Sequence, residues 1–71
     1  MNMMKYFMFE DTIDGGCFFV EAESEMEAYE IVWEEYGCEH PFLMSDDVMD
    51  YYPCFGEYSK EKAYSSGYEI L

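Results

Sequence analysis

Residues 17–37 run Cys17-Phe18-Phe19-Val20-Glu21-Ala22-Glu23-Ser24-Glu25-Met26-Glu27-Ala28-Tyr29-Glu30-Ile31-Val32-Trp33-Glu34-Glu35-Tyr36-Gly37. The period of the apolar residues changes within this stretch. Over Cys17 to Ala22 the run is short and rich in Phe and Val, which suits a strand. Alternation puts Phe18, Val20 and Ala22 on one face and Cys17, Phe19 and Glu21 on the other; the first face is the better candidate for the core. Ser24-Glu25-Met26-Glu27 then matches the capping box, in which a Ser caps the helix and a Glu three residues on reaches back. A helix is predicted from Glu25 to about Tyr36, with Gly37 supplying the left-handed residue that a helix stop prefers. At about 100° per residue, Ala28, Tyr29, Val32, Trp33 and Tyr36 share one broad face, and Glu27, Glu30 and Glu34 form a narrow stripe opposite.

Upstream, Lys5 to Glu10 is aromatic-rich and reads as a strand. Thr12-Ile13-Asp14-Gly15-Gly16 carries the Asp-Gly and Gly-Gly turn signals that join it to the next as a β-hairpin. Downstream the pattern is weaker. Residues 38–44 read as a loop, Ser45 as the cap of a short helix over 46–50 that Pro53 stops, 59–64 as a helical turn, and 68–71 as a third strand beside the hairpin. The expected fold is one α+β domain over residues 1–71: a hairpin and one main amphipathic helix on a small antiparallel sheet, with an irregular C-terminal half. A chain of this length buries only about 60% of its unfolded surface, so the core must be thin.

The chain holds 17 Asp and Glu against 3 Lys, with a formal net charge of −14. From Glu10 to Asp50 there are 14 acidic residues and no Lys or Arg, so the net charge lies in that segment. Direct binding of nucleic acid is disfavoured, because affinity for phosphates comes mainly from Lys and Arg; anionic membranes are disfavoured in the same way. The N-terminal apolar run is too short to span a membrane and has no signal-peptide cleavage pattern. Three cysteines without paired spacing fit a reducing compartment, which places the protein in the cytoplasm.

Like charges at i,i+3 and i,i+4 destabilise a helix, and no Lys relieves them in Glu25 to Tyr36. Carboxylates one turn apart lie about 5–6 Å from each other, similar to successive phosphates of a DNA strand, so a row of them suits a basic groove. The candidate partner-binding residues are Glu27, Glu30 and Glu34, flanked by Asp46, Asp47 and Asp50 and by Asp11 and Asp14 at the hairpin turn. Tyr51 and Tyr52 join them, since tyrosines beyond what a small core encloses suit an interface. Homodimerisation competes as an explanation of that excess. Cys17, Cys38, His40 and Cys54 have the number and type of a zinc ligand set but not its spacing, and no metal or cofactor is expected. One His, no Arg and no nucleophile or phosphate-loop motif argue against an enzyme.

In its size, its acidic stretch from Glu10 to Asp50 and its hairpin-plus-helix pattern, the chain resembles the small DNA-mimicking inhibitors of host defence used by phages and mobile elements, of the anti-CRISPR or anti-restriction type. That resemblance is one of type and carries no family binding residues with it. It implies a partner with a basic nucleic-acid channel, such as a Cas effector or surveillance complex, from which this protein excludes DNA. Two alternatives stand beside it: an adaptor module that binds through its tyrosine-rich C-terminal half, and an antitoxin of a basic toxin.

Overall fold

The computed structural model describes residues 3–71. Strands β1 (Lys5–Glu10) and β2 (Cys17–Ala22) form the expected hairpin, in register from Lys5 opposite Ala22 to Glu10 opposite Cys17. The Asp11 carboxylate closes the turn by accepting the N–H groups of Ile13 and Asp14, both at 2.9 Å. Gly15 and Gly16 take φ of 90° and 94°, which side chains with a Cβ rarely adopt.

Helix α1 (Glu25–Gly37) starts on the capping box. Ser24 Oγ accepts from Glu27 N at 3.1 Å, and the Glu27 carboxylate accepts from Glu23 N at 3.0 Å. Its end differs from the expectation, because Gly37 is helical and has no positive φ. The helix ends instead on a right-handed Cys38 and on Tyr36 O, which accepts the N–H groups of Glu39 and His40 at 3.1 and 3.0 Å, so no left-handed residue is needed there.

A 3-10 turn (Ser45–Asp47) leads into the short helix α2 (Val48–Tyr51), and both pack against α1. Ser45 lies inside this turn and does not cap it; no side chain caps either piece. Strand β3 (Cys54–Tyr58) then pairs antiparallel with β1. No strand was expected there, since Pro53 precedes it and Gly56 interrupts it. Both are tolerated because β3 is an edge strand, and Gly56 sits at φ 109° where the register shifts opposite Met8 and Phe9. Helix α3 (Lys60–Ser65), capped by Ser59 Oγ on Lys62 N, carries the chain to β4 (Glu69–Ile70).

The sheet order is β3-β1-β2-β4, and β4 runs parallel to β2. The sheet is therefore mixed rather than wholly antiparallel. Parallel strands need a crossover, and α3 provides it: β3 and β2 both oppose β1, so a strand that returns parallel to β3 is also parallel to β2. Both sheet faces are covered. Phe7, Phe9, Phe18, Val20 and Ala22 meet Ala28 and Val32 of α1, joined by Leu43, Val48 and Tyr52. On the reverse face Tyr6 and Phe19 meet Ala63 of α3, which buries Phe19 fully despite its lying on the side opposite Phe18.

Candidate acidic and apolar interface

The acidic residues singled out in the sequence have different fates. Glu30 and Glu34 are exposed on the outer side of α1, as are Asp46 and Asp50 on the segment packed against it. Asp47 is half-buried. Glu27 is also half-buried, and its carboxylate is engaged by the cap at Glu23 N. Asp11 leaves the surface altogether. It is buried with its carboxylate turned onto the backbone of its own turn, so its role is to hold the hairpin.

Asp14 is exposed on that turn and faces the loop after α1. Its Oδ2 lies 3.3 Å from His40 Nε2, close enough for attraction if the imidazole is protonated. The two are not aligned as a hydrogen bond, and Nε2 has no hydrogen-bond partner among the described residues.

The two tyrosines part company. Tyr51 is exposed and meets the Phe42 ring edge-to-face at 5.9 Å. Tyr52 is fully buried, stacked on Tyr36 at 4.8 Å and set against Phe18 at 6.2 Å, so it belongs to the core and not to an interface. Chain geometry explains the difference, since neighbours on a short helix end point about 100° apart. Burial raises the Tyr36 phenol to about 12, with nearby Glu69 and Asp11 adding to the effect. The Tyr52 phenol is raised as well, first by burial and then by Asp11.

Among the described residues, no three of His, Cys, Asp and Glu converge as metal ligands. Cys17, Cys38 and Cys54 are free thiols. Burial pushes the Cys54 thiol up to about 11, opposed by a hydrogen bond from Gly56 N at 3.4 Å.

The feature not read from the sequence is apolar. By helical angle Trp33 falls on the core face, yet it stays 41% exposed, and Met26, Met44 and Met49 are 74%, 64% and 59% exposed. They line two hollows between α1 and residues 41–49. One, of about 520 Å³, is bordered by Trp33, Glu34, Gly37 and Met44; the other, of about 310 Å³, by Glu25, Met26, Tyr29 and Met49. Glutamates of α1 thus stand beside methionines of the neighbouring segment. A signal for this existed in the seven methionines of a 71-residue chain and in the position of Met26 on the outer arc of α1. Trp33 gave no such signal, because its helical angle also fits the edge of the core face.

Comparison with protein-family models, curated proteins and solved structures finds no match to this chain. The fold is a small α+β sheet-and-helix domain, and no helix among the described residues is long and apolar enough to cross a membrane.

Proposed function

We propose that the protein is a stoichiometric inhibitor that presents an acidic surface to a basic nucleic-acid-binding protein and keeps nucleic acid from it, in the manner of DNA-mimicking anti-CRISPR proteins. On this reading it works in the cytoplasm of a host cell. One observation carries the proposal: Glu30, Glu34, Asp46 and Asp50 are exposed and none is paired with a lysine among the described residues. A field of one sign opposes folding by self-repulsion while it speeds encounter with a cationic partner.

The test is competition. This protein and labelled duplex DNA are added to a panel of basic effectors, Cas complexes included, across a salt series. Displacement at near-equimolar protein, weakening as salt rises, supports the reading; no displacement from any of them at low salt overturns it. Reversing Glu30 and Glu34 together to Lys should weaken displacement by about tenfold or more with an unchanged far-ultraviolet spectrum. The adaptor reading keeps one supporting observation, the exposure of Tyr51 and Phe55. Alanine at those two positions separates the readings, and Tyr52 must be left out of that test because its loss would disturb the core.

A further inference from the structure

We infer that the trough between α1 and residues 41–49 is a docking groove for a basic amphipathic helix of the partner; the inference rests on the inhibitor reading above and says what it grips. The first ground is misplaced apolar mass. A short chain needs its large side chains inside, yet Trp33 and Met44 are exposed at one hollow of the seam between α1 and residues 41–49, and Met26 and Met49 at the other.

The second ground is alignment. Met26, Glu30, Trp33 and Gly37 follow at i, i+4, i+7 and i+11, a line along the helix about 17 Å long. That length matches about three turns of a second helix. Gly37 lies next to the Trp33 indole, and methionine thioethers adapt to apolar side chains of varied shape.

Charge chooses the occupant. Glu34 borders one hollow and Glu25 the other, and the exposed Asp46 and Asp50 sit on the segment that carries Met44 and Met49. A second copy of this chain brings another −14 against this rim, and an anionic membrane is repelled likewise. A neutral apolar helix fills the floor but leaves the carboxylates unanswered. A helix with apolar residues at i, i+3, i+4 and i+7 and Lys or Arg on both flanks satisfies floor and rim together. The apolar floor then supplies affinity and residence time, while the carboxylates supply encounter rate.

The probe is a synthetic helical peptide of about four turns, with Leu on one face and Lys on its flanks. A control peptide keeps every Lys and replaces each Leu by Ser. Trp33 is the chain's one tryptophan, so its fluorescence reports the groove directly. The Leu peptide should bind one-to-one, shift Trp33 emission to the blue and bind about tenfold or more tighter than the control. Replacing the exposed Met26 and Met49 together by Ser should weaken the Leu peptide about tenfold without altering the far-ultraviolet spectrum. Equal binding of both peptides with no shift would overturn the groove while leaving the acidic inhibitor intact. Binding of neither peptide at low salt, together with absent DNA displacement, would overturn both. A concentration-dependent dimer of the protein alone that shifts Trp33 emission would also overturn the inference, by making a second copy the occupant.

Discussion

Tyr52 shows how one side chain can be indispensable in bulk and dispensable in its polar atom. The ring is fully buried between Tyr36 and Phe18, whereas its hydroxyl has no hydrogen-bond partner among the described residues. Removing the hydroxyl therefore removes no bond, and Tyr52→Phe should unfold in urea within about 0.5 kcal/mol of the parent or above it. Tyr52→Ala empties the centre of the core and should cost about 3–5 kcal/mol. The same burial makes the molecule sensitive to alkali. Tyr36 is raised from the ordinary 10.0 to about 12; Tyr29 and Tyr52 are raised by burial, and Tyr6 by its hydrogen bond to the Glu21 carboxylate. Below pH 10 both folded and unfolded chains keep these protons. Above it the unfolded chain releases them first, so stability should fall as pH rises from about 10 toward 12. Circular dichroism should be lost in the same step in which the protons of the buried Tyr36 and Tyr52 appear in the tyrosinate absorbance; release of all eight tyrosine protons near pH 10 without unfolding would contradict this.

At the scale of an element, α1 serves two ends that conflict. Its capping box and buried Ala28 and Val32 favour the fold, while Glu30 and Glu34, one turn apart and both exposed, repel each other. Glu34→Lys converts that repulsion into a Glu-to-Lys pair in the favourable orientation. It should raise stability by about 0.5 kcal/mol, read as a higher melting temperature, while weakening displacement of DNA from a partner. Opposite signs in the two measurements separate a residue kept for binding from one kept for folding. A loss in both would assign Glu34 a structural role that its exposure does not suggest.

The whole molecule carries −14 on 71 residues, and its acidic surface answers to ionic strength in two ways. Salt screens repulsion among exposed carboxylates, so the melting temperature should climb as sodium chloride is raised from about 0.01 M to about 0.5 M. Screening also weakens attraction to a basic partner, so the displacement curve should move to higher protein concentration over the same range. A melting temperature flat with salt would mean that the charges are already too far apart to interact. The thin construction allows both effects: with one main helix on one sheet face and a six-residue helix on the other, few of the carboxylates have an interior to retreat into.

Sequence alone sufficed for the hairpin turn and the start of α1, which depend on neighbours along the chain, but not for the end of α1 at Gly37 or for a cap at Ser45. The hairpin turn follows from Asp14-Gly15-Gly16 because only glycine adopts those backbone angles freely. The start of α1 follows from Ser24 and Glu27 because capping is completed within four residues. The division of the charge between residues 10–50 and the rest needed only counting. Other features came from contacts between distant segments. β3 became a strand although Pro53 and Gly56 weaken it, because β1 had an open edge to pair. The direction of β4 was set by the α3 crossover, and Phe19 was buried because α3 covered a face that alternation alone left as the lesser side. The candidate site divides in the same way. The acidic composition of the surface was legible, but Asp11 and Tyr52 were withdrawn from it by a turn and a core that only folding brings together. The methionine and tryptophan hollows beside Glu25 and Glu34 arise where residues 41–49 pack against α1, and no local pattern encodes where such a packing leaves a gap.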